Sequence, residues 1–359
     1  MSDHQGIKIG FVLLSSQADA QPSTRISVFN MFPYLTENNI EPVILYEPTK
    51  PTETPDVSQV LGKAVELQVD VVYFQKVYGP SVEQLASDLR EKGIKTLYGV
   101  CDVAKPSMAK LTDATVVVTN FLRTLYPAEL QSKIHVVHDG IEHPEFYIKT
   151  YQKHCGSREK PLSAVLVTSA TMDTLPMIQT IPEWLQVTIV GNYAEGSLLD
   201  RLRFHYWNIT EKTNWPEKLA YIRFMLNRNI TRVKWSPTRV YEELIRADLA
   251  IIPIAKYEND DEKFAAPAWK VKSENRLTLK MACGLPVIAN PIPAYEEIVR
   301  QGENGFLADT VEHWHACLNE LRDPDKREKM GLQARKTATA RFSREKQAEA
   351  LINVIRSLV

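Results

Sequence analysis

The stretch KSENRLTLKMACGLPVIANPIPAYEEI, residues 272–298, contains the signals that start and end a helix, followed by those of a buried strand. Ser273 is a favoured N-cap residue, and apolar residues follow it at helical spacing. Gly284 lies two residues before Pro286 and can adopt the left-handed conformation in which many helices end. The stretch therefore predicts a helix over residues 274–283 and a strand over residues 286–290.

Positive charge surrounds the start of this helix. Lys270 and Lys272 precede it, and Arg276 lies in its first turn. The free N–H groups and the positive dipole end of a helix bind anions, so the arrangement suits a phosphate or diphosphate. Glu274 could itself satisfy the dipole. Residue types alone leave open both a well-capped surface helix and an anion site.

In both halves of the chain, short β-rich runs alternate with helical patterns. One of these patterns predicts a helix over residues 25–37. Continuous apolar strands separated by helices are typical of parallel sheets covered on both faces. The sequence therefore predicts an α/β protein with two Rossmann-like sheets. The strand candidates are residues 8–14, 41–46, 70–75, 95–100, 114–119, 133–138, 162–169, 186–191, 230–235, 247–254, 286–290 and 305–309.

The polar segment 141–161 separates the two alternating regions. We expect one domain over residues 1–150 and a second over residues 161–342. Residues 343–359 form an amphipathic helix pattern, which we expect to pack back on the first domain. Open α/β sheets bind ligands at the carboxyl ends of their strands, so a cleft between the two sheets is the expected site.

Composition limits the class of protein. The chain has 359 residues, with 43 basic and 44 acidic side chains, which argues against a nucleic-acid partner. Four cysteines without paired spacing favour a reducing cytoplasm over a disulfide framework. No apolar run is long enough to span a bilayer, and the first six residues lack a secretion-signal pattern. Membrane contact, if it occurs, would be peripheral at the inner membrane face.

The run MACGLPVIANPIPAYEEIVRQGENGFLAD, residues 281–309, resembles the C-terminal-domain signature of GT-B glycosyltransferases of the family 4 type. Residues 111–147, 187–191 and 240–254 are similar to the same family more weakly. The resemblance implies a GT-B fold, in which two Rossmann-like domains face a central cleft. It also implies that the first domain binds the acceptor and the second binds a nucleotide-sugar.

The resemblance assigns a role to the helix that starts after Ser273. In the family this helix N-terminus binds the diphosphate of the donor, which implies that the backbone N–H groups of Ser273, Glu274 and Asn275 face that group. Two family glutamates are replaced here by Val271 and Leu279. The family's Arg and Lys after the first strand of the second domain are absent as well, so the leaving diphosphate needs other cations.

The candidates for this charge are Lys272, which we expect to be catalytic, with Lys270 and Arg276 beside it. The KSxNR form resembles a variant within the bacterial polysaccharide branch of the superfamily. Arg25 is a second catalytic candidate, with a surface ion pair as the alternative interpretation. Asp102 ends a buried strand and could act as a base or bind the acceptor, whereas a helix cap is the alternative.

Three other polar segments receive structural interpretations. His138 and Asp139 precede a glycine, and Asp-Gly is a turn signal. The acidic run at 258–263 is interpreted as solvated side chains rather than a metal site. Residues 201–228 predict a helical pair whose aromatic residues complete the second core. A membrane-interface or acceptor surface is the alternative for that pair.

The expected function is a hexosyltransferase-like glycosyltransferase that moves a sugar from a nucleotide-sugar to a glycan or lipid-linked acceptor. The resemblance implies retention of configuration without a metal or other cofactor. Inversion with Asp102 as base is the competing mechanism. The missing family residues keep two alternatives open, namely a non-catalytic GT-B-like scaffold of polysaccharide assembly and a two-domain sugar-nucleotide epimerase.

Overall fold

A computed structural model describes residues 6–143, 145, 147–170, 172–173, 175–194, 196–256 and 265–359. The acidic run at 258–263 lies outside the described residues. The described chain forms two compact units, and segments from distant parts of the sequence contribute to each. The first unit contains residues 6–142, 265–275 and 341–359, and the second contains the described residues of 143–256 and 276–340.

The first unit is built on a six-stranded parallel sheet with strand order β2-β1-β3-β4-β5-β6. The direction of winding changes between β1 and β3, as in doubly wound α/β sheets. Its strands are β1 (Ile7–Val12), β2 (Ile40–Tyr46), β3 (Val71–Gln75), β4 (Lys95–Val100), β5 (Ala114–Val117) and β6 (Ile134–Val136).

Helices, numbered along the whole chain, cover this sheet. They are α1 (Pro22–Ser27), α2 (Phe32–Glu37), α3 (Val60–Glu66), α4 (Pro80–Glu91), α5 (Pro106–Leu111), α6 (Asn120–Thr124) and α15 (Arg344–Arg356). The single helix expected over residues 25–37 was wrong, because a 3₁₀ turn, Phe29–Met31, divides it. Pro33 has no backbone N–H to donate to the preceding turn, which favours the break.

Both faces of this sheet are buried. Phe11 and Val12 are adjacent in β1 and fully buried, but they belong to hydrophobic clusters on opposite faces. The cluster on the Phe11 face includes Leu351 and Ile355 of α15. Ser343 caps α15 by accepting a hydrogen bond from a backbone N–H of the first turn. The last helix is therefore part of the core of the first unit.

The second unit contains another six-stranded parallel sheet, with strand order β12-β11-β10-β7-β8-β9. Its strands are β7 (Leu162–Val167), β8 (Leu185–Gly191), β9 (Ile230–Lys234), β10 (Leu249–Ile252), β11 (Val287–Ala289) and β12 (Phe306–Leu307). The helices that follow in the chain are α7 (Pro176–Gln179), α8 (Leu198–Thr210), α9 (Trp215–Leu226), α10 (Pro237–Arg246), α11 (Asn275–Ala282), α12 (Pro293–Glu296), α13 (Val311–Glu320) and α14 (Pro324–Phe342).

Helix α11 ends as its sequence predicts. Gly284 has φ +83°, and its N–H donates to the carbonyl of Met281 at 2.9 Å. The N–H of Leu285 donates to the carbonyl of Lys280 at 3.2 Å, so the last carbonyls are satisfied. All twelve predicted strands are present in the described chain, and both sheets are parallel. The predicted α/β class with two Rossmann-like sheets is confirmed.

The packing of α15 predicts a large stability effect at Leu351, which is 2% exposed. We expect Leu351→Ala to lower the free energy of unfolding by about 2–5 kcal/mol, because it removes buried methyl groups and leaves a cavity. Leu332→Ala, at a side chain that is 55% exposed, is the matched control and should change it by less than about 0.5 kcal/mol. Urea unfolding followed by circular dichroism measures both, and equal effects would contradict the packing.

Candidate functional site

Polar side chains gather at the carboxyl edge of the first sheet. The Ser15 hydroxyl donates to Thr24 Oγ1 at 2.8 Å, and Thr24 donates to Gln75 Oε1 at 3.0 Å. The same Gln75 oxygen accepts the N–H of Leu14 at 3.1 Å. These side chains are buried, so each needs a partner. The network fixes the start of α1 against the ends of β1 and β3.

Asp102 follows β4 at this edge and is bound to an ammonium group. Lys76 Nζ lies 2.9 Å from the Asp102 carboxylate and 3.9 Å from Glu53 Oε1. The Lys76 side chain is 11% exposed and that of Asp102 is 29% exposed. Asp102 does not cap helix α5, whose N-cap residue is Lys105.

Arg25, on α1, forms a two-pronged ion pair with Glu142. Its Nε donates to Glu142 Oε1 at 2.8 Å, and its Nη2 donates to Oε2 at 3.1 Å. Asn30 donates to the same carboxylate at 3.0 Å. The structure thus contains the ion pair that was the alternative interpretation of Arg25.

Glu274 is the most buried acid near the predicted anion site, at 1% exposure. Its Oε1 lies 3.0 Å from His138 Nδ1 and 3.3 Å from the N–H of Asp139. His138 Nδ1 also lies 2.8 Å from the Val118 carbonyl. Because both neighbours of Nδ1 are acceptors, this nitrogen carries the proton. Glu274 is therefore held next to residues 138–139, which follow β6.

The pKa values of Asp139 and His138 are both raised, which favours their protonated forms. Burial, followed by the charge of Glu274, raises the pKa of Asp139 to about 7. Burial would lower the pKa of His138, but its hydrogen bond to Glu274 and the charge of that carboxylate raise it overall. Two buried carboxyl groups side by side cannot both ionise at low cost, so near neutral pH this cluster retains protons.

The basic side chains of the segment leading into α11 differ from Arg25 and Lys76 in their partners. Lys272 is exposed and Arg276 is partly buried, and neither forms an ion pair with a carboxylate in the described part of the chain. Lys270 Nζ lies 5.3 Å from the centroid of the Trp269 ring. One turn into the helix, Lys280 is buried and donates to the Arg276 carbonyl at 2.9 Å. Burial, followed by the Arg276 charge, lowers the pKa of Lys280 to about 7.

Val271, where the resembled family has a glutamate, is 1% exposed and belongs to the hydrophobic core of the first unit. An acid at this position would lose its hydration without gaining a partner. The apolar residue is therefore part of the local packing.

Comparison with protein families gives one decisive result. The family model described as glycosyl transferase-like matches residues 174–353, half of the chain. The chain belongs to the glycosyl transferase-like family. The match starts two residues before α7 in the sequence and ends in α15, so it includes the segment of Lys272 and Arg276. A comparison with curated proteins gave no match.

Solved structures with the same fold cover almost the whole chain. A glycosyltransferase from Rickettsia africae has a TM-score of 0.70 at 14% identity, covering 99% of both chains. The Anabaena protein HepE, in complex with UDP and glucose, has a TM-score of 0.66 at 13% identity, covering 98% of this chain and 100% of its own. The lipopolysaccharide outer core galactosyltransferase WaaB has a TM-score of 0.62 at 14% identity, with coverage of 98% and 100%. These likenesses establish the GT-B fold for this glycosyl transferase-like chain.

The described residues contain neither a metal-binding cluster nor a membrane-spanning helix. No three His, Cys, Asp or Glu side chains there lie close enough together to hold a metal ion. None of the helices in the described chain is long and apolar enough to cross a membrane.

The sequence did not predict the contacts that His138 and Asp139 make. Asp139 and Gly140 form a turn signal, and that interpretation concealed the contacts with Glu274, which lies far away in the sequence. The location of this His-Asp pair could have marked it as a site candidate, because it follows a parallel strand at the sheet edge where ligands bind. The structure places this pair in contact with the predicted residue Glu274.

The protonated cluster predicts a pH dependence of stability. Asp139 has a folded pKa above its usual value of 3.8, so the folded state binds more protons than the unfolded state between about pH 4 and pH 7. The free energy of unfolding should therefore fall as pH rises through that window, by up to about 1.4 kcal/mol per pH unit for one proton. His138 acts in the same direction, because its stabilising effect is lost as pH rises through its raised pKa.

Asp139→Asn removes the titrating carboxyl group. We expect the unfolding free energy of this variant, minus that of the wild type, to increase from about pH 5 to about pH 7 in urea titrations. Asp19→Asn, at an exposed side chain, should give a difference that does not change with pH. Parallel pH profiles for Asp139→Asn and the wild type would contradict the assigned protonation.

Proposed function

We propose that this chain transfers a sugar from a nucleoside diphosphate sugar to a glycan or lipid-linked acceptor, with retention of configuration and without a metal ion. We further propose that it acts in the cytoplasm as a peripheral membrane protein. The family match supports glycosyl transfer. The finer parts of the proposal depend on the residues at the start of α11.

One observation carries the proposal. Lys272 and Arg276 flank the N-terminus of α11, and neither has a carboxylate partner within ion-pair distance in the described chain. Glu274 lies between them in sequence but directs Oε1 to His138 and Asp139. The positive end of the helix dipole is therefore reinforced by two cations, an arrangement that favours a diphosphate.

The same arrangement suits the chemistry of transfer. Cleavage of the bond between sugar and diphosphate develops negative charge on the leaving group, and fixed cations and N–H groups stabilise that charge. Lys272 is the proposed catalytic cation, with Lys270, Arg276 and the backbone N–H groups of residues 273–275 as diphosphate ligands. The complex of HepE with UDP and glucose favours a uridine donor, and WaaB, an outer core galactosyltransferase, favours a glycan acceptor.

Retention is proposed to proceed on one face of the sugar. The leaving diphosphate takes the proton of the acceptor hydroxyl as the new glycosidic bond forms and the old one breaks, so no protein base is needed. Asp102, the candidate base for inversion, is held by Lys76 at 2.9 Å. Its engagement in this ion pair favours the mechanism that needs no protein base.

The donor site is tested by nucleotide binding. We expect UDP to bind the wild type, as measured by calorimetry alongside GDP, ADP, dTDP and CMP. The double variant Lys272→Ala with Arg276→Ala should bind at least about a hundredfold more weakly, because each charge-assisted hydrogen bond contributes about 1.5–3 kcal/mol.

The matched control is Lys329→Ala with Lys336→Ala, which removes two exposed lysines of α14. That double variant should bind as the wild type does. Equal nucleotide affinity in all three proteins would place the anion elsewhere. Binding of no nucleotide, with no release of nucleoside diphosphate from any sugar donor, would favour a non-catalytic scaffold.

The stereochemistry is tested by NMR of the product formed from UDP-glucose and a soluble glycan. We expect the product to keep the anomeric configuration of the donor. Asp102→Asn should then lower kcat by less than about tenfold, whereas loss of a general base costs about 10²–10⁴. An inverted product together with the larger loss would establish Asp102 as the base instead.

A further inference from the structure

Helices α8 and α9 of the second unit form a hairpin with defined starts. At the start of α8, the Ser197 hydroxyl accepts the N–H of Asp200, and the Asp200 carboxylate accepts the N–H of Ser197. At the start of α9, the Asn214 side chain accepts the N–H of Glu217. These caps fix where each helix begins and therefore which residues share a face.

Helix α9 is apolar on two opposite faces. Tyr221 and Phe224 are buried in the core of the second unit. The other face consists of residues spaced by four, three and four positions, which place them in one line along the helix. These residues are Trp215, Leu219, Ile222 and Leu226, exposed by 73%, 48%, 36% and 75% respectively. The predicted role of the aromatic residues in completing the core is therefore wrong for Trp215.

Helix α8 has an exposed apolar face as well, and none of its residues is fully buried. The large apolar side chains on it are 56–72% exposed, and they are Leu198, Leu199, Leu202, Tyr206 and Trp207. The core role predicted for Tyr206 and Trp207 is wrong for the same reason. Isolated apolar residues are common on protein surfaces, but nine on two consecutive helices indicate an interaction site.

Charge identifies the partner. Residues 198–228 contain six basic and three acidic side chains, a net charge of +3, whereas the whole chain has −1. Asp200 and Glu217 are already engaged in hydrogen bonds at the helix starts. Lys218 and Arg223 flank the exposed line of α9, and the Lys218 ammonium lies 5.5 Å from the Trp215 ring centroid. Basic side chains beside a Trp- and Leu-rich face are typical of helices that lie in a membrane interface.

We propose that the α8–α9 hairpin docks on an anionic lipid bilayer. Its exposed leucines, tryptophans and tyrosine enter the boundary between headgroups and acyl chains, and Arg201, Arg203, Lys218, Arg223 and Arg228 contact anionic headgroups. Long basic side chains can cover apolar surface while their charged ends remain in water, which suits this arrangement. The inference identifies the surface for the peripheral contact in the proposed function and rests on that function for its purpose.

The experiment uses the full chain and vesicles of phosphatidylcholine with or without about 30% phosphatidylglycerol. We expect binding to the anionic vesicles in flotation, weaker binding to the neutral ones, and release as salt rises. Trp215→Ser with Leu219→Ser and Leu226→Ser should lower the partition coefficient at least about tenfold. Arg201→Glu with Arg203→Glu and Arg223→Glu should have a comparable effect on anionic vesicles only.

Each variant has a matched control outside the hairpin. Leu332→Ser removes an exposed leucine of α14, and Lys329→Glu with Lys336→Glu reverses two exposed charges on the same helix. Both controls should bind vesicles as the wild type does. Unchanged melting temperatures and unchanged UDP affinity in the hairpin variants show that fold and donor site are intact, which separates this inference from the proposed donor site.

Three results would overturn the inference. The first is vesicle binding by the hairpin variants equal to that of the wild type, and the second is no vesicle binding by the wild type. The third is a wild-type dimer in sedimentation equilibrium that is dissociated by the triple variant at Trp215, Leu219 and Leu226, since the surface would then join two copies of this chain. Failure of the wild type to bind UDP would refute the donor site without affecting the interpretation of the vesicle experiment.

Discussion

Burial of the Glu274 carboxylate against His138 and the Asp139 N–H determines how the chain enters α11. A buried carboxylate is costly without hydrogen bonds, and these two contacts offset that cost. Three residues earlier, Val271 is anchored in the core of the first unit. Lys272 and Ser273 are therefore held between two buried side chains, which fixes the backbone while leaving the Lys272 ammonium exposed. Such preorganisation is what stabilisation of a leaving diphosphate requires.

This arrangement gives a physical meaning to the departures from the resembled family. A glutamate at position 271 would place a second acid in an apolar environment, close in sequence to one that is already buried. The pKa of Asp139 is raised by burial and by Glu274, so a further negative charge beside these groups would be costly. The acid of this segment is instead Glu274, and its partner is His138 of the first unit.

The sequence was sufficient for the fold because buried strands such as β3 and β10 are mostly apolar runs between turn signals. It failed where structure depends on distant residues. His138 and Glu274 have no local pattern that joins them, and the Asp-Gly turn signal was the stronger local feature. The division of the helix expected over 25–37 has a local cause, because Pro33 disfavours a continuous helix even where the apolar spacing is helical.

The α8–α9 hairpin shows a limit of periodicity itself. Tyr221 and Phe224 satisfy the helical pattern on one face of α9, and Trp215, Leu219 and Leu226 satisfy it on the other. A helix that is apolar on two faces can lie within a core or can bridge a core and a second apolar medium, and its sequence is the same in both cases. Whole-chain charge could not decide, because the near balance of 43 basic and 44 acidic residues conceals a local excess of three positive charges. Exposure of one face together with that local charge distinguishes the two cases, and it favours an anionic surface outside the protein.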